Sequence, residues 1–347
     1  MRERTDVPLA PLTTLRIGGS ASLLADMERE SDVEDAVREA RGRGEPLFVL
    51  GGGSNVVVAD EGLRGLVAFV ALEGVRVSHD SARVVVDVAA GESWDALVAR
   101  AVDEGWRGVE CMSGIPGLVG ATPIQNVGAY GQEVSDTIAS VRAFDREASA
   151  FVDMPPGECG FGYRASVFKR RDRWIVTSVR FVFETGGESA PVRYAELAKA
   201  LSIREGGRAP SRIVRETVIA LRRGKGMVVD PADPESVSAG SFFVNPVVDA
   251  STLADVEARA GERPPRFEAG EGSFKLAAAW LVERAGFRKG WNLGRVGVSR
   301  KHALALVNRG GASARELLAA ARAIQSGVHD RFGVELEPEP VLLGCSW

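Results

Sequence analysis

The sequence predicts an α+β fold with more than one domain. The chain has 347 residues, of which 45% are hydrophobic and 26% are charged. This composition is ordinary for a globular protein, and the length is sufficient for two or three domains with buried cores. Apolar stripes with helical spacing and short alternating runs typical of strands both occur along the chain. Helices and strands are therefore both expected.

The N-terminal region is predicted to begin with a helix followed by two strands. Within residues 31 to 60, Ser31 and Glu34 have the spacing of a capping box, and an apolar stripe follows. The run LFVL predicts a strand, which a glycine turn connects to a second strand. A further helix is predicted from about Ser93 to Glu104, with Gly105 as its C-terminal stop.

Strands and helices are also predicted in the rest of the chain. The runs ASVRAFD and RWIVTSVRFVFE predict strands between residues 138 and 184. Residues 186 to 240 are richer in Gly, Pro and charge, which indicates a domain boundary. One later helix is predicted over Phe274 to Ala285, and another follows Ser313, which forms a capping box with Glu316.

Charge and cysteine content exclude several classes of partner. The net charge is -4 and the pI is about 5.7, and no Lys/Arg run alternates with aromatic residues, so nucleic acid is not expected. The three cysteines are far apart, which indicates neither a disulfide framework nor a metal site, and favours a reducing cytoplasm. The N-terminus MRERTDVPLAP lacks a signal-peptide core, and no stretch is apolar enough to cross a bilayer, so no membrane partner is expected.

The first glycine segment is LGGGSNVVV, at Leu50 to Val58. A Rossmann fingerprint requires a helix after its glycines, whereas β-branched residues follow here, so the segment is not a Rossmann signal. Its backbone N–H groups are suited to an anion-binding nest around a diphosphate. A plain tight turn is the alternative, and this segment alone favours the turn.

The second glycine segment extends from Cys111 to Gln132 and contains no charged residue. An uncharged glycine loop allows backbone donors to approach a phosphate or a planar ring, because no acidic side chain repels the anion. The alternative is a buried core loop, which would leave many backbone polar groups to satisfy. Ligand contact is therefore favoured. The segment's glycines are Gly114, Gly117, Gly120, Gly128 and Gly131.

Three further segments carry candidate site residues. Tyr163 and Arg164 follow two glycines in CGFGYRASVFK, where the planar guanidinium of an arginine suits a carboxylate or phosphate. The alternative is structural, with Arg164 in a surface ion pair and Tyr163 in the core. Ser241 in AGSFFVNP lies in no GxSxG elbow, and Ser alone is most often a capping or turn residue. Near the C-terminus, ELEPEPVLLG carries Glu335, Glu337 and Glu339, normally a solvated face, although one carboxylate held beside VLL would be partly buried.

These segments together resemble the UDP-N-acetylenolpyruvoylglucosamine reductase family. Members of that family reduce the enolpyruvyl ether of UDP-N-acetylglucosamine to UDP-N-acetylmuramate, in peptidoglycan precursor synthesis. The resemblance covers nearly the whole chain. Its motifs, in the family's order, are TTLRIGG, LGGGSNVVV, GIPGLVGATPIQNVGAYG, FGYRASVF, AGSFFVNP, KLAAAWLVERAG and LEPEP.

The resemblance implies a FAD-binding fold of the PCMH/vanillyl-alcohol-oxidase type, made of two subdomains and not Rossmann-like, with a C-terminal α+β substrate domain. The implied domains are residues 1–78 and 79–223 for FAD, 224–327 for substrate, and 328–347 as a tail returning to the FAD domain. FAD is expected to be noncovalent, NADPH to donate the hydride, and the protein to be a monomer or weak dimer in the cytoplasm.

The resemblance also implies roles for individual residues. A hydride passes from NADPH through the flavin to the enolpyruvyl C3, and Ser241 gives the proton at C2. Arg164 and Glu339 stabilise the enolic intermediate. The residues that would bind substrate or order the site are Tyr163, Lys225, Asn245 and Tyr194, the last being similar to the closing Tyr of the subclass with an extra loop. FAD contacts are implied for Gly51, Gly52, Gly53, Ser54, Asn55, Gly114, Ile115, Pro116, Gly117, Gly120, Ala121, Gln125, Asn126, Gly128, Ala129, Tyr130 and Gly131.

Two other functions remain open from the sequence. A flavin oxidase of the same fold would often attach FAD through a His or Cys, and Cys111 is the candidate because no His lies between His79 and His302. A UDP-sugar binding module without enzymatic activity would account for Lys225 and the glycine loops but not for bound flavin.

Overall fold

The computed structural model describes residues 1–80 and 83–347. Their contacts divide the chain into two compact units, each made of segments that are separate in sequence. The first unit contains Met1–Val7, Ala21–Gly52 and Arg64–Gly224, and the second contains Pro8–Ser20, Gly53–Leu63 and Lys225–Trp347. Across the described ranges, no helix has the length and apolar character needed to cross a membrane.

The α-helices of the described residues lie in both units. In chain order they are α1 Glu30–Arg43, α2 Trp94–Asp103, α3 Ala195–Ala200, α4 Ser211–Gly224, α5 Ala250–Ala260, α6 Ala278–Arg284 and α7 Ala314–Phe332.

The strands are short apart from the long antiparallel β13. In chain order they are β1 Arg2–Pro8, β2 Ser20–Met27, β3 Leu47–Leu50, β4 Val56–Val58, β5 Leu63–Val70, β6 Val75–Asp80, β7 Arg83–Ala89, β8 Trp106–Arg107, β9 Gly128–Ala129, β10 Gln132–Glu133, β11 Ile138–Asp145, β12 Ala150–Met154, β13 Trp174–Thr185, β14 Ser238–Ser241, β15 Val247–Asp249, β16 Arg266–Glu268, β17 Ser273–Leu276, β18 Asn292–Leu293, β19 Val296–Val298, β20 Ala305–Asn308 and β21 Val341–Leu343.

The first unit is built on two sheets. One has the strand order β1-β2-β5-β3, and the other is antiparallel with the order β12-β11-β13-β7-β6, with β8 paired to β13. The glycine turn after β3 leads directly into strand β4 rather than a helix. The interpretation that this turn is not a Rossmann motif is therefore confirmed.

Helix α2 packs its apolar stripe, led by the fully buried Trp94, against the antiparallel sheet. Ser93 caps its first turn by accepting a hydrogen bond from the Ala96 N–H, and Gly105 follows with φ +74°. Both predicted ends of this helix are confirmed.

The predicted cap of α1 is wrong. Ser31 lies inside the helix, and the N-cap is Arg29, whose N–H donates to the Asp32 carboxylate at 3.0 Å. Asp32 also accepts from the Met1 ammonium at 3.0 Å. The helix therefore begins with a capping box between Arg29 and Asp32, two positions before the predicted pair, and the distant Met1 adds a second partner to Asp32.

The second unit has an antiparallel sheet of order β14-β20-β19-β18, a three-stranded sheet of order β15-β17-β16, and a parallel pair of β21 with β4. Helix α7 buries a stripe that includes Leu317 and Ile324 in this core. Its capping box of Ser313 with Glu316 is confirmed, because each side chain accepts the other's backbone N–H.

The helix predicted over Phe274 to Ala285 is only partly right. Phe274 belongs to β17, which pairs with β15 and β16, and the helix begins at Ala278. The side-chain oxygen of Asn245 accepts the Ala278 N–H at 2.9 Å. This distant cap fixes the helix start, because it satisfies a donor that the first turn leaves unpaired.

Candidate functional site

The glycine segment from Cys111 to Gln132 lies in the first unit as a compact loop closed on itself. The Cys111 N–H donates to the Gln132 side-chain oxygen at 2.8 Å, which joins its two ends. Gly114 and Gly117 have φ of +72° and +118°. An L side chain is disfavoured at such angles, so these turns require glycine.

The close approach of two glycine turns forms a cradle of backbone donors. A Cβ placed on Gly52 would lie only 3.0 Å from the Gly117 Cα. Within residues 1–80 and 83–347, no hydrogen bond uses the N–H of Gly52, Ile115 or Gly117. Uncommitted N–H groups beside glycines fit an anion such as the diphosphate of FAD. The residues present therefore fit this cofactor.

A carboxylate approaches the loop from outside its own sequence. The Gly114 N–H donates to the Asp95 Oδ1 at 2.6 Å, and Arg215 binds both Asp95 oxygens at 2.7 and 3.0 Å. Burial opposes the charge on Asp95, but the hydrogen bonds and charge of Arg215 outweigh burial and hold the pKa of Asp95 below its ordinary value. The arginine thus neutralises the negative charge beside the loop.

Arg164 clamps the far end of the same loop. Its guanidinium donates to the carbonyl oxygens of Asn126 at 3.3 Å and Gly128 at 2.6 Å. The guanidinium carbon also lies 5.4 Å from the centre of the Tyr163 ring. Tyr163 is 37% exposed, so the alternative that it is a core residue is excluded. The structure therefore brings Tyr163, Arg164 and the glycine segment together.

Tyr194 lies at the start of α3 and contacts the glycine segment through Tyr130. The two rings are perpendicular, with centres 5.5 Å apart. Burial raises the pKa of Tyr130 to about 12, and burial likewise raises the pKa of Tyr194 above its ordinary value. Both phenols therefore keep their protons at neutral pH and can donate hydrogen bonds.

In the second unit, Ser241 is the last residue of β14, beside Ala305 of β20. It caps no helix, and within the described residues its hydroxyl makes no hydrogen bond. Gly240, with φ +74°, lies where the pairing of β14 with β20 shifts register. The capping role expected of an average serine is therefore not what holds Ser241 here.

The segment directly before β21 contains Glu339 and pairs with the residues that follow Ser241. The Glu339 N–H donates to the Phe242 carbonyl at 2.8 Å, and the Val244 N–H donates to the Glu337 carbonyl at 3.0 Å. Glu339 is half-buried, whereas Glu337 is exposed. The two side chains therefore differ in exposure, and the backbone of Glu339 bonds to Phe242, the residue directly after Ser241.

The other predicted residues of the second unit have clear structural contacts. Asn245 caps α6, so it orders the chain after Ser241.

The first glycine turn also has structural contacts in this unit. The Gly53 carbonyl accepts the Thr14 N–H at 3.1 Å, and a Cβ on Gly53 would lie 1.9 Å from the Leu12 oxygen. At Gly53, these contacts therefore support the alternative that the first glycine segment is a tight turn. Ser54 and Asn55 bond to Thr14 and the C-terminal segment, and Lys225 is half-buried.

Packing also explains one glycine of the second segment. The Gly120 N–H donates to the Ala90 carbonyl at 2.9 Å, and a Cβ on Gly120 would lie 2.5 Å from the Ala90 Cβ. Gly120 thus packs against the sheet. FAD contact remains a prediction for every residue to which the resemblance assigned it, including Gly51, Ile115, Pro116, Ala121, Gln125, Ala129 and Gly131.

Sequence patterns missed the residues that support this loop from outside. Asp95, Arg215 and Glu110 lie outside the uncharged segment, and two of them belong to separate helices. The only available signal is the position of Glu110 directly before the segment. The absence of charged residues identified the loop in the sequence. It did not reveal Asp95, Arg215 and Glu110, the charged residues that support the loop.

Comparison with known proteins defines the class first. A family model described as a FAD binding domain matches residues 21–151. A second model, described as the C-terminal domain of UDP-N-acetylenolpyruvoylglucosamine reductase, matches residues 232–343. The chain is thus a flavoprotein that combines a FAD-binding domain with the C-terminal domain of this type of reductase. The predicted α+β fold class is confirmed.

Similar proteins extend the match over the full chain. Proteins called UDP-N-acetylenolpyruvoylglucosamine reductase from Thermobifida fusca and Streptomyces coelicolor are each 49% identical, covering 98% and 100% of this chain and 98% and 91% of their own lengths. The crystal structure of the reductase from Thermus caldophilus is 26% identical with a TM-score of 0.67, covering 99% of this chain and 98% of that one. This chain belongs to the UDP-N-acetylenolpyruvoylglucosamine reductase family.

Proposed function

We propose that the chain binds FAD noncovalently and uses NADPH to reduce UDP-N-acetylglucosamine enolpyruvate to UDP-N-acetylmuramate. Family membership over the full length supports this reaction. The observation in the structure that carries it is the cradle of uncommitted N–H groups at Gly52, Ile115 and Gly117. When bound, FAD supplies the hydride transfer that the side chains themselves do not supply.

In this proposal, the first unit holds the cofactor and positions the guanidinium of Arg164 as a hydrogen-bond donor. The glycine N–H groups would hold the diphosphate of FAD, and Asp95 with Arg215 fixes the Gly114 turn. Arg164 keeps its guanidinium plane in place through the Asn126 and Gly128 carbonyls. Its positive charge is proposed to stabilise the enolate that forms as the substrate is reduced.

Ser241 is proposed to give the proton to the substrate C2 from its Oγ. Its hydroxyl is not used within the described chain, which supports a role toward a ligand. The Ser241 alkoxide left behind is a strong base. The ammonium group of Lys225 is proposed to give it a proton, which restores the hydroxyl. Glu339, half-buried beside the Phe242 backbone, is proposed to stabilise the enolic intermediate that receives this proton.

Two further properties belong to this proposal. The thiols are free and Cys111 is buried in an apolar cluster, which supports a noncovalent cofactor and a cytoplasmic location. Burial raises the pKa of the Cys111 thiol well above its ordinary value, so it is a poor nucleophile for a flavin linkage. We also propose that Tyr194 closes over the substrate and that the protein is a monomer or a weak dimer.

Ser241→Ala tests the proposal by separating the two half-reactions. Bleaching of the flavin by NADPH does not need the Ser241 proton, so it should keep close to its normal rate. Recovery of the yellow colour on adding the enolpyruvyl substrate should slow by about 10³-fold or more, as for loss of a general acid. Rapid-mixing absorbance follows both steps on one sample. Ser251→Ala, on the exposed start of α5, is the matched control.

Equal slowing of both half-reactions would show that Ser241 has only a structural role. Normal rates in both with a lowered melting temperature would have the same meaning. Either result removes Ser241 from the proposed chemistry.

A further inference from the structure

Glu110 is a fully buried carboxylate at the entrance of the glycine segment. Its Oε2 accepts the Gly108 N–H at 2.7 Å. Its Oε1 accepts both the Gln132 side-chain amide at 2.9 Å and the Ala190 N–H at 2.6 Å. Gln132 in turn accepts the Cys111 N–H. One carboxylate therefore joins both ends of the glycine segment to residue 190.

Residue 190 begins the segment that carries Tyr194. The base of this segment is closed by backbone bonds, from the Ser189 N–H to the Ala209 carbonyl at 2.8 Å and from the Val192 N–H to the Gly207 carbonyl at 2.9 Å. Its far end meets the glycine segment where Tyr194 contacts Tyr130. Glu110 thus anchors the base of a closed segment whose other end holds an aromatic ring over the loop.

We propose that Glu110, through Gln132 and the Ala190 N–H, is the positioning residue that sets where Tyr194 lies. The inference rests on the proposed function, because it assumes that Tyr194 binds the UDP-sugar. Three donors bond to the carboxylate, from Gly108, Gln132 and Ala190, and its two acceptor oxygens satisfy them together. A glutamine at this position would direct its own amide hydrogens at a buried donor.

The test measures binding of the product, UDP-N-acetylmuramate, to the flavin-loaded protein by calorimetry. Glu110→Gln should weaken this binding about tenfold, the size expected when a buried donor loses its acceptor. FAD content and bleaching by NADPH should stay within about twofold of wild type, because Arg164 and Asp95 still hold the loop. Asp145→Asn, another buried, hydrogen-bonded carboxylate, is the control and should bind product normally.

A double variant distinguishes positioning from general loosening. If Glu110 acts through Tyr194, Glu110→Gln should cause no further loss of product binding in a Tyr194→Ala background. Additive losses, or a parallel loss of FAD, would overturn the inference. If Glu110→Gln does not fold, Gln132→Met should reproduce the non-additive loss, and additivity there would also overturn it.

Failure of the proposed function has a different signature. In that case the wild-type protein itself would neither bind UDP-N-acetylmuramate nor reduce the enolpyruvyl substrate. Failure of the inference leaves wild-type binding intact and changes only the pattern among the variants.

Discussion

Arg164 has an unusual backbone conformation for an arginine. Its φ of +52° lies in the left-handed region, which costs a non-glycine residue about 1–2 kcal/mol. The bonds of its guanidinium to the Asn126 and Gly128 carbonyls offset this cost and aim the side chain at the glycine segment. Strain retained in this way is typical of functional sites.

Replacing Arg164 with Lys tests whether the planar fork matters. Lysine keeps the charge but cannot place two donors in one plane toward the Asn126 and Gly128 carbonyls. Turnover should fall by about 10²-fold, the scale for loss of one donor in the transition state. Steady-state kinetics with NADPH and the enolpyruvyl substrate measure it. Arg170→Lys is the matched control, since Arg170 also has positive φ, of +56°, and is exposed.

Wild-type turnover in Arg164→Lys would contradict the proposed role. A similar loss in Arg170→Lys would show that the effect comes from the backbone conformation and not from the guanidinium. Only a loss confined to Arg164 supports the account.

At the residue scale, sequence patterns located the loop and the arginine but not their supports. Gly114, Gly117 and Arg164 are visible because glycine clusters and a nearby fork have local signatures. Asp95 carries no such signature and Glu110 has only its position before the segment, since their roles depend on which backbone N–H groups the fold brings to them. The exposure of Tyr163 depends on tertiary structure, as does the Ser241 hydroxyl, which bonds to no group in the described part of the chain.

At the scale of elements, helix ends decide several features of the fold. The start of α7 is fixed by a reciprocal pair of hydrogen bonds between Ser313 and Glu316, and the Asp60 carboxylate adds a further acceptor for the Ala314 N–H at 2.6 Å. This helix buries its apolar stripe in the core of the second unit. Its cap should therefore contribute to the stability of that unit.

Ser313→Ala should lower the free energy of unfolding by about 1 kcal/mol, the usual cost of removing a serine N-cap. Urea unfolding followed by circular dichroism measures the change. Ser326→Ala, at an exposed site inside the same helix, is the control and should be neutral or slightly stabilising, because alanine is the better helix former. Equal effects of the two substitutions would exclude a specific contribution from the cap.

Prediction of elements succeeded where the deciding contacts are local. The ends of α2 and the cap of α7 follow from residues three or four positions apart. The start of α6 was predicted wrongly because Asn245 caps Ala278 across 33 positions, a contact set by the tertiary fold. At α1 the contact is local, but the acceptor is Asp32 and not Glu34, so the N-cap is Arg29 instead of Ser31.

At the scale of the whole molecule, each unit combines segments that are remote in sequence. In the second unit, β4 pairs with the C-terminal strand β21, and the Asn308 side chain donates to the Leu15 carbonyl at 2.9 Å. A change of composition between residues 186 and 240 does not reveal these pairings. The fold class is nevertheless predictable, since it depends on element types and on the strand that follows the first glycine turn.

The proposed reaction links oxidation of NADPH to reduction of an enolpyruvyl UDP-sugar through bound FAD. Anaerobic titration of the purified protein, followed by visible absorbance, measures this coupling. We predict a yellow protein whose colour is released on denaturation, is bleached by NADPH, and returns on addition of one equivalent of UDP-N-acetylglucosamine enolpyruvate, with UDP-N-acetylmuramate as product. A folded protein that stays colourless with added FAD, or a bleached flavin that the enolpyruvyl substrate does not restore, would contradict the account.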